Sequence, residues 1–149
     1  KQISLSKQHN IPNTTVTRIC DAIMYVEENL ELKLTLEEVA KKAFFSPFHF
    51  HRLFKAVTNE TLNNFIIRKR IEKAASFLIH QKEKTVTEIS ENLGFSNLSS
   101  FSKSFKQFYG ISPIKFKELS HDKFSKIIKT ESNKGQTKVI FEQYICNIN

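Results

Sequence analysis

Ten consecutive residues, S-P-F-H-F-H-R-L-F-K from Ser46 to Lys55, hold three phenylalanines, two histidines, an arginine and a lysine. Imidazole, guanidinium and ammonium groups donate hydrogen bonds and carry or accept positive charge, and aromatic rings stack on planar partners. That inventory suits gripping and reading a polar, anionic surface, and it lacks the arrangements that covalent chemistry needs. His49 and His51 stand two apart, so on a helix they point apart and give no metal site, and no cysteine cluster stands beside them. The serines between Ser96 and Ser104 have no histidine or aspartate arranged with them as a nucleophilic triad requires. No glycine-rich phosphate loop, metal-ligand spacing or paired-carboxylate pattern occurs, so the sequence argues against an enzyme and implies no cofactor.

A helix reconciles the mixed composition of this stretch. Ser46 can cap its start, with Pro47 at the first helical position. Phe50, Leu53, Phe54 and Val57 then fall on one side. Phe48, His51, Arg52 and Lys55 fall on the other at i, i+3, i+4 and i+7. A phenylalanine is buried by default, so Phe48 could also be core. Asn59, tolerant of the left-handed conformation, ends the helix.

The elements around it follow from capping and periodicity. The stripe Val16, Ile19, Cys20, Ile23, Met24, Val26, Leu30 predicts an amphipathic helix from Thr14 to about 29–32. Thr35-Leu36-Glu37-Glu38 is a capping-box pattern opening a short helix that Phe44-Phe45 closes. A long helix is expected from about Leu62 to His80, apolar through Phe65, Ile66, Ile71, Ala74, Ala75, Leu78 and Ile79. Arg68, Lys69, Arg70 and Lys73 make it basic. Arg70 lies among apolar positions, so its expected role is to hold this helix to its neighbours. A last helix is expected from Ile114 to about Ser120.

The second half repeats the first. Thr85-Val86-Thr87-Glu88 matches Thr35-Leu36-Glu37-Glu38 at an offset of 50 residues. Phe50, Arg52, Phe54, Lys55, Asn59 and Phe65 match Phe101, Lys103, Phe105, Lys106, Gly110 and Phe116 at an offset of 51. The expected fold is therefore all-α: two helix-turn-helix subdomains (about 35–57 and 85–108) joined by a long linker helix (about 62–80), some seven helices in all. In such a unit the second helix enters the major groove and its early residues reach base edges. Histidine and arginine can donate to purine acceptors, and phenylalanine can meet a thymine methyl. Lys55, a turn later, suits a phosphate, and helix starts capped by Thr35 and Thr85 offer backbone amides to phosphates. A linker helix of this length spans about 28 Å, close to the roughly 34 Å of one duplex turn. One chain could thus address two successive major-groove segments.

The bulk properties agree. The 149 residues carry a net charge of +8. Between Lys33 and Lys129 there are 18 basic and 9 acidic side chains, and the flanks together come to −1. The excess points to a polyanionic partner, nucleic acid before an anionic membrane surface, with a merely solubilising surface as the plain alternative. Lys82, Lys84, Lys123, Lys126 and Lys129 read as solvated surface. Cys20 and Cys146 lie far apart without metal spacing, which suggests a reducing, cytoplasmic setting. No apolar run reaches membrane-spanning length, and no signal peptide is apparent. The chain lacks an initiator methionine, which suggests processing or a partial chain. Residues 1–13 read as a flexible polar tail. Residues 14–121 read as the domain, and 122–149 as a linker or the start of a further C-terminal domain, with the β-prone run K-V-I-F-E-Q-Y-I-C-N from Lys138 to Asn147.

These residues carry a family likeness. L-E-E-V-A (Leu36–Ala40), Ser46-Pro47, R-L-F-K (Arg52–Lys55) and R-I-E-K-A-A (Arg70–Ala75) resemble the AraC/XylS-type DNA-binding domain. So do Ile89, G-F-S (Gly94–Ser96), F-S-K-S-F-K (Phe101–Lys106) and F-Y-G-I-S-P (Phe108–Pro113). The likeness covers Leu34–Lys117, about 85 residues, and the helix from Thr14 takes the place of the domain's usual first helix. It implies a bacterial transcription regulator that binds promoter or operator DNA through both recognition helices. Base reading would then fall to Phe48, His51 and Arg52 in the first helix, and to Leu98, Ser99, Ser100, Ser102 and Lys103 in the second. Thr35, Ser46, Lys55, Thr85, Ser96 and Lys106 form the expected phosphate set. The sequence departs from the pattern at Asn59 (commonly Gly), Ser90 (commonly Ala), and Lys103 and Lys117 (often Arg). Lysine lacks the bidentate geometry of arginine, so the second helix is expected to bind mostly through phosphates. The S-P-F-H-F-H-R variant resembles a subgroup with a C-terminal GyrI-like effector domain, which implies a small-molecule effector acting through a further domain. RNA polymerase is the other partner this reading admits. The competing reading is a protein-interaction module that contacts the transcription machinery and has only non-specific DNA affinity.

Overall fold

The computed structural model describes residues 13–121. All its regular elements are helices: α1 (Asn13–Glu28), α2 (Leu36–Lys42), α3 (Pro47–Thr58), α4 (Leu62–His80), α5 (Val86–Asn92), α6 (Leu98–Tyr109) and α7 (Pro113–His121). The expected all-α architecture of seven helices is what these residues adopt. The expectations for the N-terminal tail and for everything after His121, the β-prone run included, lie outside the described residues. α1 starts one residue ahead of its expected start.

The short helices begin where their sequences say. Thr35 Oγ1 accepts from the Glu38 amide at 3.2 Å, and the Thr35 amide donates to Glu38 Oε2 at 3.2 Å. Thr85 and Glu88 form the same reciprocal pair. Each box satisfies donors that a helix start otherwise leaves orphaned. Ser46 caps α3 by accepting from the His49 amide at 3.4 Å, and Pro47 sits in the first turn. α3 ends on Asn59 at φ 61° and α6 on Gly110 at φ 80°, both left-handed, and each donates its amide back to a lysine carbonyl a turn earlier.

The described residues divide into two compact units: 13–29 with 33–66, and 30–32 with 67–121. α4 contributes its start to the first and its remainder to the second. Each unit has its own aromatic spine. In the first, Phe50 meets Phe54 at 5.5 Å between centroids, and Phe54 meets Phe65 at 5.5 Å and 79°. In the second, Phe101 meets Phe105 at 5.8 Å, and Phe105 meets Phe116 at 5.2 Å and 79°. Edge-on contacts of this kind add to the burial of large apolar area. The repeat in sequence is thus a repeat in packing.

Two local departures have physical reasons. The apolar stripe of α1 is narrower than its sequence suggests. Ile19, Ala22 and Val26 are buried, whereas Cys20 and Met24 are exposed. Each stands one residue past a buried or half-buried position, about 100° further round the helix, beyond the face that α2 and α3 cover. Ser90 is fully buried where a small apolar residue would be expected, and its hydroxyl is satisfied by donating to the Thr87 carbonyl at 2.8 Å.

Residues 30–32 belong with the second unit because α4 holds them. Arg70 donates to the Leu30 carbonyl at 2.9 Å and the Leu32 carbonyl at 2.7 Å, and Lys73 pairs with Glu31. Arg70 therefore has the holding role expected of it. Burial lowers the pKa of its guanidinium, which the neighbouring Glu31 partly opposes.

Gly94 has φ +76°, and a Cβ there would lie 3.1 Å from an Arg70 nitrogen. That nitrogen is tied to the Leu32 carbonyl and cannot withdraw without breaking its bond. Gly110 has the same left-handed backbone with open space around it. Gly94→Ala should destabilise by about 2 kcal/mol and Gly110→Ala by about 1 kcal/mol, the difference being the Arg70 contact. Urea unfolding of both variants measures that difference, and equal losses would mean the guanidinium yields freely.

Candidate nucleic-acid interface

α3 and α6 each turn one face inward and the other to solvent. In α3 the inward residues are Phe50 and Phe54. Opposite them Phe48, Arg52 and Lys55 are exposed and His51 is half-buried. Phe48 is 73% exposed, so it belongs to the outward stripe and not to the core. Its ring lies under the Arg52 guanidinium, 5.9 Å from carbon to centroid. That contact, at the outer limit of a cation–π pair, rests Arg52 on a flat apolar support before any ligand arrives.

α6 repeats the pattern with different side chains. Phe101, Phe105 and Tyr109 point inward. Ser99, Lys103 and Lys106 are exposed and Ser102 is half-buried, the same order of exposure as Phe48, Arg52, Lys55 and His51. These four share the i, i+3, i+4, i+7 spacing and line one stripe. Leu98, 40% exposed, and Ser100 are also outward but flank that stripe. The first helix thus offers an aromatic ring, an imidazole, a guanidinium and an ammonium, and the second offers two hydroxyls and two ammonium groups.

The expected phosphate set divides in two. Lys55, Lys106, Ser46 and Ser96 are exposed at or beside α3 and α6. Thr35 and Thr85 have their hydroxyls and amides engaged in the capping boxes. Acidic side chains also stand in those first turns, Glu37 and Glu38 in α2 and Glu88 in α5.

Sequence reasoning missed two features. One is the cap of α6, which is Asn97: its Oδ1 accepts from the Ser100 amide at 2.7 Å. An asparagine directly before the helix was the available signal, with Ser96 beside it equally able to cap. The other is that the repeat reaches back into the preceding helices. R-I-C-D-A-I-M-Y-V from Arg18 aligns with R-I-E-K-A-A-S-F-L from Arg70 at an offset of 52. Ile19, Ala22 and Val26 are buried, as are Ile71, Ala74 and Leu78. Each repeat therefore includes a helix ahead of its helix-turn-helix pair, α1 before α2 and α3, and α4 before α5 and α6.

A tandem helix-turn-helix scaffold with two outward polar stripes is the architecture of a DNA-binding domain. Residues 39–119 match the helix-turn-helix domain family. The chain is 39% identical over 101 residues to the transposon Tn10 TetD protein of Escherichia coli, covering 68% of this chain and 71% of that one. It is 34% identical over 92 residues to the probable transcriptional regulator LumQ of Photobacterium leiognathi, covering 62% of this chain and 37% of that protein. The solved C-terminal domain of AraT, a response regulator from Geobacillus stearothermophilus, superposes with a TM-score of 0.63 at 27% identity, over 73% of this chain and 87% of that one. The chain belongs to the AraC-type helix-turn-helix family and carries its DNA-binding domain. It spans little more than a third of the length of LumQ. Among the described residues no helix is long and apolar enough to cross a membrane.

The α5 capping box makes stability depend on pH. Hydrogen bonds from the Thr85 amide at 2.7 Å and the Thr85 hydroxyl at 2.9 Å lower the pKa of Glu88. A carboxylate whose pKa is lower folded than unfolded stabilises the fold above its unfolded pKa. The contribution fades as pH falls through the folded value. Glu88→Gln should therefore be less stable than wild type at neutral pH, with the gap narrowing on acidification. Urea unfolding of both proteins across the acid range checks this, and a gap independent of pH would contradict it.

Proposed function

We propose that α3 and α6 are two unequal DNA readers, each lying in one of two successive major-groove segments of a promoter or operator. In α3, Arg52 donates to purine acceptors, His51 assists it, and Phe48 supports the guanidinium and offers its ring to a thymine methyl. In α6, Ser99, Ser102 and Lys103 face the groove with Leu98 and Ser100 at its margins. Short hydroxyls and a single ammonium discriminate bases less than a guanidinium does, so α6 contributes mainly backbone affinity. Lys55 and Lys106, one turn beyond the readers, take phosphates together with Ser46 and Ser96. Thr35 and Thr85 supply first-turn amides and are the weakest of the set, because acidic neighbours oppose an anion there. The observation that carries this reading is the matched order of exposure along the two stripes, on scaffolds that repeat even in their ring contacts. For the whole regulator we propose a cytoplasmic protein that acts beside RNA polymerase, with any small-molecule effector bound outside residues 13–121.

Selection of bound sequences from a random duplex pool, followed by affinities at two salt concentrations, tests the reading. The expected outcome is an enriched motif with two blocks about one helical turn apart, one block better defined than the other. Steeply salt-dependent binding with no enriched motif would leave only a phosphate-gripping surface and favour the protein-interaction reading. Arg52→Ala should cost about 1–3 kcal/mol on the selected duplex and relax the preference at one position. Equal losses on selected and random duplexes would remove Arg52 from base reading. Lys55→Ala should weaken both duplexes alike and lower the salt slope by about 1, and an unchanged slope would take it out of the phosphate set.

A further inference from the structure

In each unit an arginine of the first helix ties down the turn between the helix-turn-helix pair. In the first unit Arg18 Nε donates to the Ala43 carbonyl at 2.8 Å, and a terminal nitrogen donates to the Phe44 carbonyl. The same guanidinium lies 3.7 Å from the centroid of the Phe45 ring. Phe45 in turn meets His49, in the first turn of α3, edge-on at 5.4 Å. One side chain on α1 therefore engages residues 43, 44 and 45, the whole link between α2 and the Ser46 cap of α3. In the second unit Arg70, the repeat partner of Arg18, donates to the Gly94 carbonyl at 3.5 Å.

Phe44 and Gly94 are equivalent turn residues, and both are left-handed, at φ 58° and 76°. Glycine adopts that backbone freely, whereas for a bulky residue it is strained. The Phe44 ring, 83% exposed, recovers little by packing. The first turn is thus strained where the second is relaxed, and the first has the fuller arginine clamp.

We propose that Arg18 is a positioning residue for DNA reading: it holds the strained Phe44 turn and so sets the angle at which α3 presents Phe48, His51 and Arg52. The assignment rests on α3 being a reader. Lysine is a poor replacement for Arg18 here, because its single nitrogen lacks the planar fork that reaches two carbonyls from separate nitrogens while lying flat on a ring.

The test is the ratio of affinities for the selected and a random duplex, measured on wild type, Arg18→Ala, Arg18→Lys, Phe44→Gly and the double variant Arg18→Ala/Phe44→Gly. Partial unfolding lowers both affinities by one factor and leaves the ratio unchanged, so the ratio reports positioning alone. The ratio should fall roughly tenfold in Arg18→Ala, the scale of removing one base-reading side chain, and by a similar factor in Arg18→Lys. Phe44→Gly alone should keep the wild-type ratio. In the double variant it should restore most of the ratio, since glycine holds the turn without a clamp. An unchanged ratio in Arg18→Ala, or no rescue by Phe44→Gly, would overturn the proposal. Wild-type behaviour of Arg18→Lys would make Arg18 a simple charge partner and overturn it too. So would a drop in Phe44→Gly alone as large as that in Arg18→Ala, which would make Phe44 itself the group that meets DNA. A wild-type ratio of one would instead strike down the reading of α3, and this assignment with it.

Discussion

Two phenylalanines one turn apart on each recognition helix, closed by a third ring from the following helix, are the contact on which the rest depends. A helix of 12 residues is marginal by itself. Phe50 and Phe54 against Phe65, and Phe101 and Phe105 against Phe116, hold the two helices by one face. The opposite face is then relieved of any structural duty. That separation is why Phe48-His51-Arg52-Lys55 and Ser99-Ser102-Lys103-Lys106 can occupy equivalent positions with so little chemistry in common. The scaffold is repeated while the outward surface is not.

The turns show the same geometry reached by different means. The first is Phe44-Phe45-Ser46 leading into Pro47, and the second is Gly94-Phe95-Ser96-Asn97 leading into Leu98. The extra residue falls between the ring that packs under the helix and the residue that caps it. In the first, an arginine stacked on Phe45 holds a residue that would rather be elsewhere. In the second, glycine relaxes the backbone, and Arg70 is left to reach residues 30–32 as well.

How much could be read in advance follows from how local each determinant is. The capping boxes, the Ser46-Pro47 start and the Asn59 stop each depend on residues within a turn of one another, and the sequence displays them openly. Helical period separates Phe48 from Phe50, but a phenylalanine is buried by default, and only the 73% exposure of Phe48 places it outside the core. The width of the α1 stripe was not legible at Cys20 and Met24, since it is set by how far α2 and α3 extend over that helix. The clamp from Arg18 to Ala43 joins residues 25 apart, and nothing at either end announces it. The R-I-x-x-A likeness between α1 and α4 was present in the letters but hidden by the unequal offsets of the repeat, 50, 51 and 52. For the reading stripes, the sequence displays the spacing. What each side chain touches belongs to the complex with a duplex.

The inequality of the two stripes has a consequence for symmetry. Dimeric helix-turn-helix proteins present identical readers related by a two-fold axis, and their sites mirror that axis as palindromes. A chain whose two readers differ as guanidinium differs from hydroxyl contains no such axis. On the proposed reading of α3 and α6, the preferred site has a strong half and a weak half in fixed order, and reversing the duplex presents the wrong half to each helix. A protein that reads in this way binds DNA with a heading, and a single bound copy can distinguish upstream from downstream.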